Sequence, residues 1–343
     1  MFVLNSDISI GSFHFKGVNE VHISCSLNSI VATATIKVPA IARIIKEGKR
    51  SPDTVVTADQ FKEGDAVIIK LGYDNELHTE FKGFVKSRDM NMPLVITCEG
   101  YSWLLRRNKV NISKTAVTVK SLLSVAVKGI DSRYTITVKC NLDLVLNNIQ
   151  INGTGLDVIN SISKYTDGSV CCFFIEPDVL WCGLYRTAYV NGNDIMKKGK
   201  VSYRLGYNVL KQNTLKERTV KEDAVQITYS KKLSTGSLIT QSSDAFKEFV
   251  RKHSRILNQV STAASLKALA NEKAYSINYS GFEGAVNTFL APFVSQGYTA
   301  SIIDTTNKNV EGIYLVEGVE THFGIHGAGR KVEIGPLVGF ANK

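Results

Sequence analysis

The side chains that most often hold metal ions or carry acid–base catalysis are few and scattered in this sequence. The chain has six histidines, at His14, His22, His78, His253, His322 and His326. His322 and His326 stand four residues apart, but Gly324 and a strand-like pattern deny them the shared helical face of a metal-binding pair. The histidine spacing therefore predicts no metal site.

The cysteines do not have the spacing of a metal site either. The chain has six, at Cys25, Cys98, Cys140, Cys171, Cys172 and Cys182. None forms a Cys-x-x-Cys pair, and the adjacent Cys171 and Cys172 point to opposite faces if their segment is a strand. The pattern predicts reduced, buried or half-buried thiols in a protein made in a reducing cytoplasm.

Paired carboxylates are the remaining signal of hydrolytic chemistry, and the candidates have structural explanations. Glu99 ends a predicted strand, while Glu176 and Asp178 flank a predicted turn. The sequence also lacks a phosphate-binding loop, a dinucleotide fingerprint, a His-Glu-x-x-His motif and a Gly-x-Ser-x-Gly elbow. We therefore expect no enzymatic activity and no cofactor.

The charge is more informative than the motifs. The chain has 343 residues, and 41 Lys and Arg against 31 Asp and Glu give a formal net charge of +10. Two segments, 101–140 and 197–221, each hold eight basic residues and one acidic residue, a net +7 each, so the rest is slightly acidic. Tyr203 and Tyr207 interleave the second segment. Either the basic segments form a nucleic-acid footprint with tyrosine stacking, or they are solvated faces or docking patches for an acidic protein neighbour.

Length and composition indicate a folded protein of two or three domains. Apolar residues make up 44% of the chain and charged residues 21%, a globular balance. The opening residues 1–10 lack a basic start, so we expect no secretory signal. The longest charge-free run, 284–303, is too polar for a membrane span.

The first 115 residues have the period-two pattern of half-buried strands. Apolar residues occupy the odd positions from Val21 to Leu27, and the alternation continues from Ala32 to Val38. The basic stretch from Arg43 to Asp53 is predicted to be mobile. The turn-prone Asp74-Asn75 lies between two apolar runs, which predicts a hairpin from Gly64 to Lys86, followed by a strand from Pro93 to Gly100.

Helical spacing replaces this pattern between residues 116 and 185. Thr118 can cap a helix with Leu122, Leu123 and Ala126 on one face, and Thr154-Gly155-Leu156-Asp157 fits a capping box. Strands are predicted from Val170 to Ile175 and from Val179 to Cys182. The segment is therefore predicted to be a small α+β domain.

The rest of the chain is predicted to be β with one helical region. Ser243 is expected to cap a helix carrying Phe246, Phe249, Val250 and Leu257, and a second helix is expected from Thr262 to Lys273. Strands are predicted at Tyr275–Tyr279, Tyr298–Ile303, Gly312–Val319 and Arg330–Ile334, and the ambiguous stretch Phe282–Phe293 is interpreted as strand. β segments on both sides of the α+β domain allow two barrels.

Three stretches together resemble a known family. They are Gly64–Tyr73 with Phe81-Lys82-Gly83-Phe84-Val85 and Cys98-Glu99-Gly100-Tyr101-Ser102-Trp103-Leu104-Leu105; Asn152–Ile159 through Leu180-Trp181-Cys182-Gly183; and Ser265–Ala270, Tyr279–Gly284, Thr288-Phe289, Pro292, Gly312–Val319, Thr321–Gly324 and Arg330–Gly335. They resemble the baseplate hub proteins of phage tails, including the late control D proteins and the hub part of type VI secretion spike proteins. The resemblance covers most of the chain.

This resemblance implies the fold class. It is mainly β with an α+β module: a first tube-type β-barrel domain at 1–115, a small α+β domain at 116–185, and a second β-barrel domain at 186–343 with a helical insertion at about 243–274. In such hubs, three chains form a ring whose six barrels continue the sixfold tail tube and receive a threefold spike. No long extension follows Ile334, since 336–343 is expected to be a tail, so we expect the spike to be a separate chain.

The resemblance also implies partners and a location. We expect a non-enzymatic homotrimer that contacts a tail tube protein, a spike protein and other baseplate proteins, with DNA only as cargo in the lumen. The expected location is the virion tail or the baseplate of a contractile injection machine, assembled in the bacterial cytoplasm. The Gly72–Glu80 hairpin and the strands from Tyr298 to Ile334 are expected to form barrel walls and subunit contacts.

Nine residues are candidates for docking or subunit contacts: Arg106, Arg107, Lys197, Lys198, Lys200, Arg204, Tyr314, Phe323 and Arg330. The main alternative function is a barrel-type nucleic-acid-binding protein that uses segments 101–140 and 197–221. A cell-wall-degrading tail enzyme is the third possibility.

Overall fold

The computed structural model describes residues 3–44, 53–184, 186, 199–210, 214–218, 224–244, 251–304 and 311–339. Two of the nine predicted contact residues, Lys197 and Lys198, lie outside these ranges. So do the predicted helix residues Phe246, Phe249 and Val250 and the interior of the basic stretch 43–53.

The first hundred residues form antiparallel strands, as their alternation predicts. Val21 and Ile23 are buried while His22 is exposed. The predicted hairpin turns at Asp74 and Asn75, both of which have positive φ, the conformation that a tight two-residue turn requires. The strands are β1 (Leu4–Ile10), β2 (Phe13–Phe15), β3 (Glu20–Ser26), β4 (Ser29–Val38), β5 (Ile41–Ile44), β6 (Asp53–Val56), β7 (Ala66–Tyr73), β8 (Glu76–Asp89) and β9 (Leu94–Glu99).

The middle of the chain contains the helices that the capping signals predict. The Thr118 hydroxyl accepts from the Ser121 amide at 3.1 Å. Thr154 and Asp157 form a reciprocal capping box, with the Thr154 amide donating to Asp157 at 2.8 Å. The elements are α1 (Ser102–Arg107), β10 (Lys109–Thr118), α2 (Val119–Lys128), β11 (Thr137–Cys140), β12 (Val145–Thr154), α3 (Gly155–Tyr165), β13 (Cys171–Glu176) and β14 (Val179–Gly183).

The C-terminal part is mainly β. The strand interpretation of Phe282–Phe293 is confirmed up to Thr288 and wrong for 289–293, which form a loop. The predicted strand Tyr275–Tyr279 is wrong, because the helix before it continues to Ile277. The predicted tail is also wrong in part, since Pro336–Gly339 belong to the last strand. The elements are β15 (Lys200–Arg204), β16 (Lys216–Arg218), β17 (Val225–Lys232), β18 (Leu238–Ser242), β19 (Arg251–Ile256), α4 (Ala263–Ile277), β20 (Gly281–Thr288), β21 (Thr299–Ile303), β22 (Gly312–Gly324) and β23 (Gly327–Gly339).

The helix predicted to begin at Ser243 is wrong for the residues that the structure describes. The Ser243 hydroxyl accepts from the Ile227 amide at 3.2 Å, so it joins two strands instead of capping a helix. Residues 251–256 form β19, which pairs in parallel with β17. The second predicted helix is confirmed as α4, whose first turn is capped by the Thr262 hydroxyl.

The helical region shares a hydrophobic core with the α+β module. Leu266, Leu269 and Ala270 of α4 are buried together with Leu123 of α2 and Ile159 of α3. Ile227 and Tyr229 of β17 lie in the same cluster. The described part of the region between about 224 and 277 therefore packs on the α+β module.

Strands from the N-terminal and C-terminal parts of the chain belong to one continuous sheet. Among the described residues, thirteen strands form one sheet with the order β16-β20-β23-β22-β3-β4-β9-β8-β7-β1-β2, and β21 joins β22 to β15. Phe323 of β22 and Leu290 lie in the same buried cluster as Ile23 and Ile36 from the N-terminal strands. The chain is mainly β, and its first and last parts share a hydrophobic core.

Candidate functional site

A buried polar feature lies where the first and last parts of the chain meet. β3 and β22 pair antiparallel along seven residue pairs, from Gly318 opposite Ser26 to Gly324 opposite Glu20. The loop 289–293, which follows β20, also reaches this region: the Leu290 amide donates to the Tyr73 hydroxyl at 3.3 Å. We call the β3–β22 pair, this loop and the ion pair described next the joint.

Arg330 lies at the centre of the joint with only 1% of its surface exposed. Its guanidinium pairs with Glu80 of β8, whose side chain is 4% exposed, and donates to the carbonyls of Leu290 and Pro292, the latter at 3.2 Å. The guanidinium also lies 5.2 Å from the Phe293 ring centroid. Burial raises the pKa of Glu80, and Arg330 acts in the opposite direction. One buried cation therefore connects β8, the 289–293 loop and β23.

A cavity of about 390 Å³ lies next to this ion pair. Its walls come from the N-terminal strands, from the β13–β14 turn and from the segment 293–298. Charged and aromatic side chains line it, among them Glu80, Lys82, Tyr101, Phe174, Phe293 and Tyr298. The joint therefore borders a cavity lined by polar and aromatic side chains, and it also contains the paired strands β3 and β22.

Three of the predicted docking residues lie inside the folded chain. Arg330 is the buried cation of the joint, and Phe323 belongs to the N-terminal hydrophobic core. Tyr314 is buried, and its hydroxyl accepts from the Phe282 amide at 3.2 Å. The structure corrects the prediction for these three, because alternating strand residues that face a core cannot also face another subunit.

Arg106 and Arg107 lie on the surface, at the end of α1. Arg106 is about half exposed and donates at 3.0 Å to Glu99, whose side chain is fully buried. Arg107 pairs with Glu63 and lies 4.0 Å from the Trp103 ring centroid. Both guanidinium groups are therefore accessible but already engaged within the chain.

Lys200 and Arg204 of β15 are exposed, as the docking prediction requires. Tyr203 between them is fully buried in the C-terminal core, and burial raises its pKa to about 12. Tyr207 is exposed. A pair of stacking tyrosines is therefore not available in this segment, which removes the feature that most favoured nucleic-acid binding.

The basic segment 101–140 presents its other charges to solvent. The exposed residues are Lys109, Lys114, Lys120, Lys128, Arg133 and Lys139, on β10, α2, β11 and the loop before β11. Arg133 is bound by Asp131 at 2.6 Å, the single acid of the segment. The segment is thus a surface with a strong positive charge.

Large apolar side chains are exposed at the tips of two hairpins. Met90 and Met92, in the β8–β9 connection, are 69% and 89% exposed, and Ile325, in the β22–β23 turn, is 76% exposed. Met92 and Ile325 border a common hollow of about 490 Å³ beside His322. We call these three residues the apolar tips. Exposed apolar side chains that border one hollow, as Met92 and Ile325 do, are candidates for a contact surface.

A charged cluster around Asp167 was not predicted from the sequence. Asp167 is buried and accepts from Tyr229 and His253 at 3.0 Å and from Arg255. Burial acts to raise the pKa of Asp167, but these hydrogen bonds outweigh it and hold the pKa below its ordinary value. The only sequence signal was the run Arg251–Arg255, which the helix prediction concealed.

Comparison of the whole fold with solved structures identifies similar proteins. The 43 kDa tail protein of prophage MuSo2 from Shewanella oneidensis aligns with a TM-score of 0.62 and 13% identity, over 96% of this chain and 98% of that chain. The tail protein from Neisseria meningitidis MC58 aligns with a TM-score of 0.62 and 11% identity, over 97% and 96%. The chain has the fold of phage tail proteins.

A third similar structure is a component of a secretion system. The Escherichia coli c3393 protein, described as a type VI secretion component similar to the phage T4 tail proteins gp27 and gp5, aligns with a TM-score of 0.57 and 9% identity. The alignment covers 98% of this chain and 79% of that one. These tail-like structures confirm, at the level of the fold, the family resemblance in the sequence. No family model and no curated protein matches the sequence.

Two further observations concern the described ranges alone. Every helix there is too short or too polar to traverse a lipid bilayer. No three His, Cys, Asp or Glu side chains in that part of the chain are grouped so as to hold a metal ion.

Proposed function

We propose that this chain is a structural baseplate hub of a phage tail or a related contractile injection machine, without catalytic activity. The observation that carries the proposal is the fold likeness to two tail proteins over nearly the full length of both chains. In this proposal three chains form a ring that adapts a sixfold tail tube to a threefold spike. The first and last β regions each contribute one tube-type barrel to that ring.

The joint supports such a mechanical function. A ring built from two β regions per chain must hold the two regions at a fixed angle, or its sixfold face would be irregular. Strand pairing between β3 and β22 and the buried Glu80–Arg330 pair oppose rotation between the regions. A hub therefore uses its buried charge for alignment, while its exposed surfaces make the contacts with partners.

The exposed surfaces suggest which contacts these are. We assign the apolar tips to a subunit contact, because Ile325 lies in the C-terminal strand region expected to form such contacts and is largely exposed. We assign the basic segment 101–140 to an acidic protein neighbour in the baseplate. Its exposed lysines and arginines fit a protein surface of opposite charge.

Light scattering on the purified chain tests the trimer. The expected mass is three times that of the 37.7 kDa chain. Met92→Ser with Ile325→Ser is expected to weaken this association while leaving the fold intact, because both side chains are exposed. Val125→Ser, which replaces an exposed apolar residue on α2, is the matched control and should leave the mass unchanged. A monomer at all concentrations, alone and with the spike protein added, would contradict the proposal.

A further inference from the structure

Three cysteines lie side by side on one face of a small sheet. β11, β14 and β13 are neighbours in that order, and the register places Cys182 opposite both Cys140 and Cys172. Residues paired across adjacent strands present their side chains on the same face. The thiols therefore form a row with Cys182 in the middle.

The sulfur atoms of this row are in contact. The Cys172 thiol donates to the Cys182 sulfur at 2.9 Å, and Cys140 hydrogen-bonds to Cys182 from the other side. Directly paired residues of antiparallel strands, such as Cys172 and Cys182, have Cα atoms about 4.5–5.5 Å apart, within the range of about 4.4–6.8 Å that disulfides span. Cys182 is thus within disulfide range of Cys172 and contacts Cys140 on its other side.

The three thiols differ in accessibility. Cys182 is fully buried, whereas Cys172 and Cys140 are partly exposed. The hydrogen bond with Cys140 acts to lower the pKa of Cys182, but the bond with Cys172 and burial outweigh it and hold that pKa well above its ordinary value. The hydrogen bond with Cys182 and burial raise the pKa of Cys140. Cys172 and Cys140 therefore both combine access to solvent with contact to Cys182. The raised pKa of Cys140 disfavours its reactive thiolate, so we take Cys172 as the thiol that is oxidised first.

We propose that Cys172 and Cys182 form a disulfide when the protein meets a peroxide, and that Cys140 can exchange into it. The Cys172 sulfur first attacks hydrogen peroxide: an S–O bond forms, the O–O bond breaks, and the departing hydroxide takes the thiol proton and leaves as water. The Cys182 sulfur then attacks the sulfenic sulfur. An S–S bond forms, the S–O bond breaks, and the hydroxyl leaves with the Cys182 proton as a second water. The two sulfurs lose two electrons in total, and the peroxide gains them.

Exchange follows from the third thiol of the row. Attack of the Cys140 sulfur on Cys182 forms a Cys140–Cys182 bond and releases Cys172, which takes up the Cys140 proton. The two disulfides share Cys182 and exclude each other. The oxidised chain therefore keeps one of the three thiols reduced.

Two other cysteines are internal controls. Cys171 is adjacent to Cys172 in sequence but lies on the opposite face of β13 with Phe173 and Trp181. Cys98 lies in the N-terminal core. Burial raises the pKa of each to about 12. Both are expected to stay reduced under conditions that oxidise Cys172.

The test oxidises the full chain with hydrogen peroxide, alkylates the remaining thiols after unfolding, and maps the peptides without reductant by mass spectrometry. The expected product is an intramolecular Cys172–Cys182 link, with the intact mass lowered by two hydrogen atoms and Cys98 and Cys171 alkylated. Cys172→Ser should abolish this link, and Cys140→Ser should preserve it. Cys98→Ser is the matched control and should change nothing.

Three results would overturn the proposal. They are oxidation of Cys172 to a sulfinic acid without a link, a link between two chains in place of the internal one, and failure to link at peroxide concentrations that oxidise a surface cysteine added elsewhere. The link is measured in the unmodified protein, so the outcome does not depend on whether a variant at the buried Cys182 folds.

Discussion

The joint and the basic segment 101–140 use the same kind of side chain in opposite ways. Arg330 in the joint is buried against Glu80 and two backbone carbonyls, so its charge is paired inside the molecule. Lys120 and Lys128 on α2 are exposed to solvent. An isolated basic residue is therefore used to hold the fold together, whereas these two clustered lysines remain at the surface.

The largest expected effect comes from breaking the joint. Arg330→Met leaves the Glu80 carboxylate buried without its cation, and we expect the free energy of unfolding to fall by about 3–5 kcal/mol. Chemical denaturation measures the loss. Arg107→Met is the matched control, because Arg107 and Glu63 are both about half exposed, and it should cost less than about 1 kcal/mol. Equal losses in the two variants would show that the joint is no stronger than a surface pair.

The Asp167 cluster is the next strongest test of what a compensated charge contributes. Asp167→Asn removes the charge but keeps a residue type that tolerates the positive φ of this position. Because the charged hydrogen bonds from Tyr229, His253 and Arg255 are weakened, we expect the free energy of unfolding to fall by about 2–3 kcal/mol at neutral pH. The exposed pair of Asp244 with Lys267 supplies the control, and Asp244→Asn should change little.

The pH dependence of this variant has a definite sign. Because the pKa of Asp167 is lower in the folded protein, its stabilising contribution is complete above the ordinary aspartate pKa and is lost as the pH falls through the folded value. The gap in stability between wild type and Asp167→Asn should therefore close below about pH 4. A gap that is constant with pH would contradict a charge-based contribution.

Arg106 combines features of the joint and of the basic segment, because it is a surface residue that pairs with a buried acid. It is about half exposed, yet it binds the fully buried Glu99, which Ser102 and Lys86 also contact. Arg106→Ala is expected to lower the free energy of unfolding by about 1.5 kcal/mol, since two partners of Glu99 remain. Arg133→Ala, at an exposed pair with Asp131, should be close to neutral. If neither variant changes the free energy of unfolding, the pair of Arg106 with Glu99 does not stabilise the fold.

The smallest effect on stability is expected in the basic segment. Lys120→Glu with Lys128→Glu should change the free energy of unfolding by no more than about 0.5 kcal/mol per residue, but should weaken salt-dependent association with an acidic baseplate partner. Arg251→Glu with Lys252→Glu, on the exposed β19, removes equal charge and should spare that association. Salt-dependent binding of single-stranded DNA, lost only in the α2 variant, would instead support the nucleic-acid alternative.

Local patterns in the sequence were sufficient for most strands and for the capped helices. The alternation from Val21 to Leu27 and the capping box at Thr154 depend on neighbouring residues, so they can be recognised without knowledge of the fold. The failures came from distant contacts. The residues of β19 are polar and were predicted to be helical because the apolar spacing before them suggested it, but β17 and Asp167 determine their conformation.

The candidate contacts show the same limit. Arg330 follows Gly327-Ala328-Gly329 and was expected to begin a strand and to make a docking or subunit contact. Its partner Glu80 is 250 residues away, and no local pattern connects the two. Tyr314 and Phe323 lie on the same long strand, β22, but are buried in two different hydrophobic clusters. Arg106, Lys200 and Arg204 lie at the surface, and their docking role stays a prediction.

Electron cryo-microscopy of an assembled tail end or baseplate that contains this chain would show whether the chain forms a trimeric hub ring. We expect three copies in a closed ring, with six β regions around the axis in near-sixfold arrangement and the joint buried in every copy. A single copy on the periphery, or a ring in which the two β regions of each chain do not alternate around the axis, would contradict it.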